Sequence, residues 1–119
     1  MAWEVEGTNE FADWYGDLDE IDQAAVTKSV ELLENLGPYL GRPHVDTVKA
    51  SQYSNMKELR MQSKGRPLRS FFAFDPNRTA IILIGGDKTG DDRFYEHMIP
   101  KADALYTEYL EEIQNAEDP

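Results

Sequence analysis

Between Lys57 and Ile84 the residue pattern leaves helical spacing and takes up a period of two, in three runs separated by short turn signals. Such runs form strands because successive side chains of an extended backbone point to opposite faces. Lys57 to Gln62 reads as one strand, Ser63-Lys64-Gly65 as a turn and Arg66 to Phe74 as a second strand. Asp75-Pro76-Asn77-Arg78 has the composition of a type I turn and leads into a third strand, Thr79 to Ile84. Its unbroken apolar stretch from Ala80 predicts a central strand buried on both faces. Three strands joined by short turns form an antiparallel meander. One of its faces has to be covered by helices before a chain of 119 residues can have a core.

The flanking segments supply those helices. Trp3-Glu4-Val5 alternates and predicts a short first strand ended at Gly7. Thr8 is the N-cap expected for a short helix carrying Phe11, Trp14 and Tyr15, stopped by Gly16. Asp19 opens a second helix, with Asp22 in its first turn, where a carboxylate favours the helix dipole. Its expected apolar stripe is Ile21, Ala25, Leu32, Leu33 and Leu36, widened by Val26 and Val30, and Gly37-Pro38 ends it. The short link Gly16-Asp17-Leu18 predicts that the two helices form a hairpin. Residues 37 to 55 read as a loop, and Gly85 to Asp92 as a second, polar one.

A last helix presents Ala102, Leu105, Tyr106, Tyr109, Leu110 and Ile113 on one face, with Pro100 in its first turn or at a kink. An acidic, frayed tail is expected over about 114–119. The order β-α-α-β-β-β-α gives one α+β domain over 1–119, an antiparallel sheet packed by an N-terminal helical hairpin and a C-terminal helix.

Composition removes several function classes. The chain contains no cysteine, so it has no disulfide framework, cysteine zinc site or thiol nucleophile. Its start lacks the basic and apolar regions of a signal peptide, and its longest apolar run is far shorter than a membrane span. A soluble, cytoplasmic protein without membrane contact is expected. The net charge of −11 opposes nucleic-acid binding in bulk, but the charge is unevenly spread. From Arg42 to Lys88 there are nine Lys or Arg against four Asp or Glu, a local excess of five positive charges. The middle of the chain is a basic island in an acidic protein.

The element order, together with Glu58-Leu59-Arg60, Gly65-Arg66-Pro67-Leu68-Arg69-Ser70-Phe71-Phe72, Ile82-Leu83-Ile84-Gly85, Lys88 and Tyr95, resembles the RelE/ParE toxin superfamily. The branch it is most similar to is that of the HigB-type toxins related to a phage-derived family. The resemblance runs from about Trp3 to about Leu110 and is strongest from Lys57 to Tyr95. It implies the toxin of a type II toxin–antitoxin pair, a ribosome-dependent, metal-independent endoribonuclease in which the RNA's own 2′-OH attacks the adjacent phosphate.

That reaction requires a group to take the 2′-OH proton, a group to protonate the leaving 5′ oxygen, and cations to stabilise the phosphorane. Arginine suits the last task, since its planar fork grips two phosphate oxygens and keeps its charge. The resemblance gives Arg69 the phosphate-binding role and Tyr95 that of stacking on or orienting the substrate base. It sets Lys57 and Lys88 beside them as catalytic, and Arg60, Arg66 and Arg93 as RNA-binding. Where RelE has a second arginine after the lysine, this chain has Thr89, and Asp87, Asp91 and Asp92 surround that spot. His97 is a spare acid–base candidate.

Each residue also has a structural reading. Arg69 shares a strand face with Phe71, Lys57 and Arg60 suit a solvated strand surface, Arg66 suits turn polarity and Tyr95 suits core packing. The aspartates lack a calcium-loop pattern, and no metal or cofactor is expected. The expected partners are a HigA-like helix-turn-helix antitoxin and messenger RNA on the ribosome, with operator DNA reached only through the antitoxin. The alternative is a non-catalytic protein of the same fold, a ParE-like gyrase inhibitor or a degenerate binding partner.

Overall fold

A hairpin with a two-residue turn organises the molecule. In the computed structural model, which describes residues 2–117, strand β3 (Lys57–Ser63) pairs antiparallel with β4 (Arg66–Phe74), closed by the pair Ser63 and Arg66. Lys64 and Gly65 make the turn with φ of 53° and 76°. Positive φ at both positions matches the right-handed twist of the flanking strands. β4 returns through Asp75–Arg78 into β5 (Thr79–Asp87). There the Asp75 carboxylate accepts hydrogen bonds from the Asn77 and Thr79 amides, both at 2.8 Å. Its other oxygen accepts the Tyr109 hydroxyl, and burial pushes that phenol well above its ordinary range.

The meander is thus present as expected, but the sheet is mixed and has five strands in the order β1-β5-β4-β3-β2. β1 (Glu4–Gly7) runs parallel to β5, whereas the sequence suggested an antiparallel sheet. β2 (Val45–Thr47) lies antiparallel on β3, inside the stretch read as a loop. A three-residue strand carries no period to detect; its pairing with β3 makes it a strand. β5 continues through Gly85 and Gly86 for a tertiary reason. A Cβ on Gly85 would stand 2.3 Å from the Trp14 ring, and one on Gly86 would stand 2.9 Å from Phe94. Glycine here lets an aromatic ring from each side lie directly on the strand.

Helix α1 (Asn9–Asp17) and helix α2 (Glu20–Leu36) cover one face of the sheet, and α3 (Phe94–Glu117) covers the other. Thr8 caps α1 by accepting the Phe11 amide at 3.0 Å, and Asp19 caps α2 by accepting the Asp22 amide at 2.9 Å. Gly16 does not stop α1, which runs one residue further. The buried face of α2 is Asp22, Val26, Ser29 and Leu33, while Ile21 and Leu36 are 62% and 44% exposed. The expected stripe is rotated because the N-terminal end of α2 lies over the hairpin tip, where Ser63 and Arg66 present polar partners for Asp22.

Pro100 is the seventh residue of α3, beyond its first turn. The helix continues through Glu117 where a frayed tail was expected from 114; residues 118–119 of that tail lie outside the described residues. No helix among the described residues is long and apolar enough to cross a membrane.

Candidate functional site

Strand alternation decides which of the basic residues can meet. On β3, Leu59, Met61 and Ser63 face α1 and α2, so Glu58 and Arg60 face α3. On β4 the same parity puts Leu68, Ser70 and Phe72 toward α2, and Arg69, Phe71 and Ala73 toward α3. Arg60 and Arg69 are direct cross-strand neighbours. Between β4 and β5 the register slips one residue at Phe71/Phe72, which brings Gly86 opposite Arg69.

Arg69 is only 4% exposed. Its Nη1 donates to the Leu68 carbonyl at 2.9 Å, and its Nε lies 3.9 Å from Glu58 Oε1 without a hydrogen-bond partner. Glu58 is itself buried, at 6% exposed. Its Oε1 accepts the Tyr95 hydroxyl at 3.1 Å and lies 3.6 Å from Arg60 Nε. Tyr95 rests edge-on against Phe71, with centroids 6.2 Å apart, and Lys88 Nζ stands 5.1 Å from the Tyr95 ring centre. Burial pushes the Tyr95 phenol above its usual range, so at neutral pH it is a hydrogen-bond donor. Lys88 is held by its own amide, which donates to the Pro67 carbonyl at 2.9 Å.

Arg69, Arg60 and Tyr95 therefore come together around one carboxylate, and Lys88 stands over the Tyr95 ring beside them. Glu58 was not singled out from the sequence. It stands in the Glu58-Leu59-Arg60 segment of the resemblance but was given no role there, since a lone strand glutamate ordinarily reads as a solvated charge.

The other expected residues stand apart from this group. Lys57 has the parity of Leu59 and faces the α2 side. Arg66 is engaged by two carboxylates, Asp22 through Nη2 and Asp87 through Nη1 at 2.6 Å. Arg93 is exposed and lies 4.0 Å from Glu96, and His97 is exposed on α3. Thr89 donates its amide to Asp87, and the amide of Arg93 is bonded to Asp91. These aspartates thus shape the loop after β5. Among the described residues no three His, Asp or Glu are grouped so as to hold a metal ion.

The tip network sets an acid limit on stability. The hydrogen bond from Ser63, then that from Arg66, holds the Asp22 carboxyl below its ordinary range. Burial works to raise Asp87, but hydrogen bonds from Thr89 and Arg66 outweigh it, so this carboxyl is lowered too. A folded-state value below the unfolded one contributes stability that is complete above the unfolded carboxylate range, about pH 4. It is lost as pH falls through the lower, folded values. Thermal melts from pH 7 down to about pH 3 should show this loss below about pH 4, with a shallower loss in Asp22→Asn. Parallel profiles for the two proteins would remove Asp22 from the explanation.

Residues 13–107 match the family described as phage-derived protein Gp49-like. The chain belongs to that Gp49-like family. Within it the chain is a HigB-type member of the RelE superfamily, 50% identical over 98 residues to toxin HigB3 of Mycobacterium tuberculosis, covering 82% of this chain and 84% of the relative. It is also 43% identical over 104 residues to toxin HigB2 of the same organism, covering 86% of this chain and 52% of that protein, so it spans about half of HigB2.

Solved structures share the fold of this Gp49-like chain at low identity. A double arginine-to-alanine mutant of E. coli toxin RelE in the free state matches with a TM-score of 0.59 and 9% identity, over 82% of this chain and 96% of RelE. The RelE–RelB complex of Pyrococcus horikoshii matches at 0.55 and 13% identity, over 76% of this chain and 99% of the matched one.

Proposed function

We propose that this chain is the toxin of a toxin–antitoxin pair and an endoribonuclease that cuts messenger RNA in the ribosomal A site. The observation that carries the proposal is the buried Arg69 guanidinium with an unpaired Nε, set beside Glu58, Arg60, Tyr95 and Lys88. A buried cation acts in a low-dielectric setting, where its pull on a phosphorane is stronger than in water.

In this reading Glu58 takes the proton of the 2′-OH as that oxygen attacks the neighbouring phosphorus. Arg69 and Arg60 neutralise the phosphorane oxygens, and Tyr95 donates a hydrogen bond that orients the reacting groups. Lys88 gives a proton to the departing 5′ oxygen, leaving a cyclic phosphate on one fragment and a 5′-hydroxyl on the other. No metal takes part. The toxin acts in the cytoplasm and is held silent by a HigA-like helix-turn-helix antitoxin, through which alone it reaches operator DNA. A structure of E. coli RelE solved in a toxin–antitoxin complex supports an antitoxin partner, whatever its type.

Tightly induced expression of the chain alone, with primer extension on an abundant message, tests the proposal. Growth arrest with discrete cuts and cyclic-phosphate ends is expected. Normal growth and intact message from folded protein would overturn it in favour of a non-catalytic protein of this fold. DNA damage signalling without RNA cleavage would point instead to a ParE-like action on gyrase.

A further inference from the structure

The reacting cluster does not account for all the cationic surface at the basic island. A cleft of ≈ 450 Å³ opens at the edge of β3, between that strand and α2. Its lining includes four basic residues, Lys28, His44, Arg60 and Arg69, and no acidic one, in a chain with 23 Asp and Glu. β2 pairs with β3 only as far as Leu59, and the Arg60 amide is turned to the His44 carbonyl at 2.7 Å. The strand edge beyond that point is left uncovered, and the cleft forms there. Arg60 and Arg69 line the cleft and also flank Glu58 on the α3 side.

We infer that this cleft is a second phosphate-binding site, which holds a backbone phosphate of the same RNA strand next to the one being cut. The inference rests on the nuclease reading for its choice of RNA. Arg60, part-exposed and shared between cleft and reacting cluster, joins the two into a cationic track around the edge of β3 with buried Arg69 behind it, and successive phosphates of one strand need such a track. Leu32, Pro43 and Met61 in the lining offer apolar surface to a sugar or base. An overall charge of −11 repels RNA elsewhere, so binding should concentrate where acidic residues are missing.

The test measures binding, separately from cleavage, with a single-stranded oligonucleotide of about ten residues made uncleavable by 2′-deoxy substitution. Fluorescence anisotropy across a salt series compares the parent with Lys28→Ala/His44→Ala. Lys101→Ala, an exposed α3 lysine outside the cleft, controls for loss of one charge. Lys28 and His44 are exposed, so the double variant should fold, which a thermal melt confirms.

The double variant is expected to bind about tenfold more weakly, with a slope of log affinity against log salt shallower by about 0.7. Lys101→Ala should match the parent. Equal weakening in both variants, no weakening in the double variant, or no binding by the parent would overturn the inference. So would a polyglutamate peptide that displaces the oligonucleotide from the parent but binds the double variant poorly, since the cleft would then belong to an acidic peptide. Binding that depends on Lys28 and His44 in a protein that cuts nothing would remove the nuclease reading alone. Cleavage by a protein whose double variant binds like the parent would remove this inference alone.

Discussion

Arg69→Gln is expected to lower message cleavage by on the order of 10²–10³-fold, the usual cost of removing one charged or hydrogen-bonding group that stabilises a transition state. The size follows from burial. Arg69 is 4% exposed, so water cannot replace its charge at the phosphorane, and Arg60 on the neighbouring strand is pulled toward the same carboxylate. Glutamine retains polarity and much of the length, which limits the cavity that alanine would leave beside Glu58. Arg69→Lys should fall between the two, because the charge returns without the fork. Primer extension after induction gives the cleavage, and a thermal melt shows that each variant is folded. Cleavage at the parent's level by folded Arg69→Gln would take Arg69 out of the reacting group.

The parts of this fold that were legible in the sequence are those set by local chemistry. Arg66 to Phe74 is a strand with the bounds that its period suggested, and Thr8 and Asp19 cap the helices as hydroxyl and carboxylate side chains do. Local signals fail where a distant partner decides the outcome. Val45–Thr47 is a strand only because β3 offers it a ladder, and Gly85-Gly86 is strand rather than loop because Trp14 and Phe94 close over it. Ile21 looked like a core residue of α2, but the helix turned so that Asp22 could reach Ser63 and Arg66.

The site divides along the same line. Arg69, Arg60, Tyr95 and Lys88 were singled out and do meet, while Arg66, singled out for its position beside them, is occupied by Asp22 and Asp87. Nothing in the spacing says which way a strand residue faces until the register is known. Glu58 was missed for the same reason, since its importance lies in what surrounds it across two strands and a helix.

Phe71 links stability to the site, and Phe71→Ala is expected to show both effects at once. Its ring is fully buried, stacked on Phe94 at 6.1 Å and met edge-on by Tyr95, at the point where β4 and β5 slip register. Removing a buried phenylalanine costs about 3–5 kcal/mol, a large share of the roughly 5–15 kcal/mol that holds a domain folded. For a domain of this size the melting temperature should drop on the order of 10–20 °C. Phe72→Ala supplies the comparison, because Phe72 is equally buried but packs on the α2 face against Leu33, Leu59 and Ile82. Both variants should lose similar stability. At a temperature where both stay folded, only Phe71→Ala should also lose cleavage, since Tyr95 then keeps the Phe94 ring but loses the Phe71 ring that helps fix its hydroxyl on Glu58. Equal cleavage by the two variants would mean that the Tyr95 hydroxyl is positioned by something other than the core beneath it.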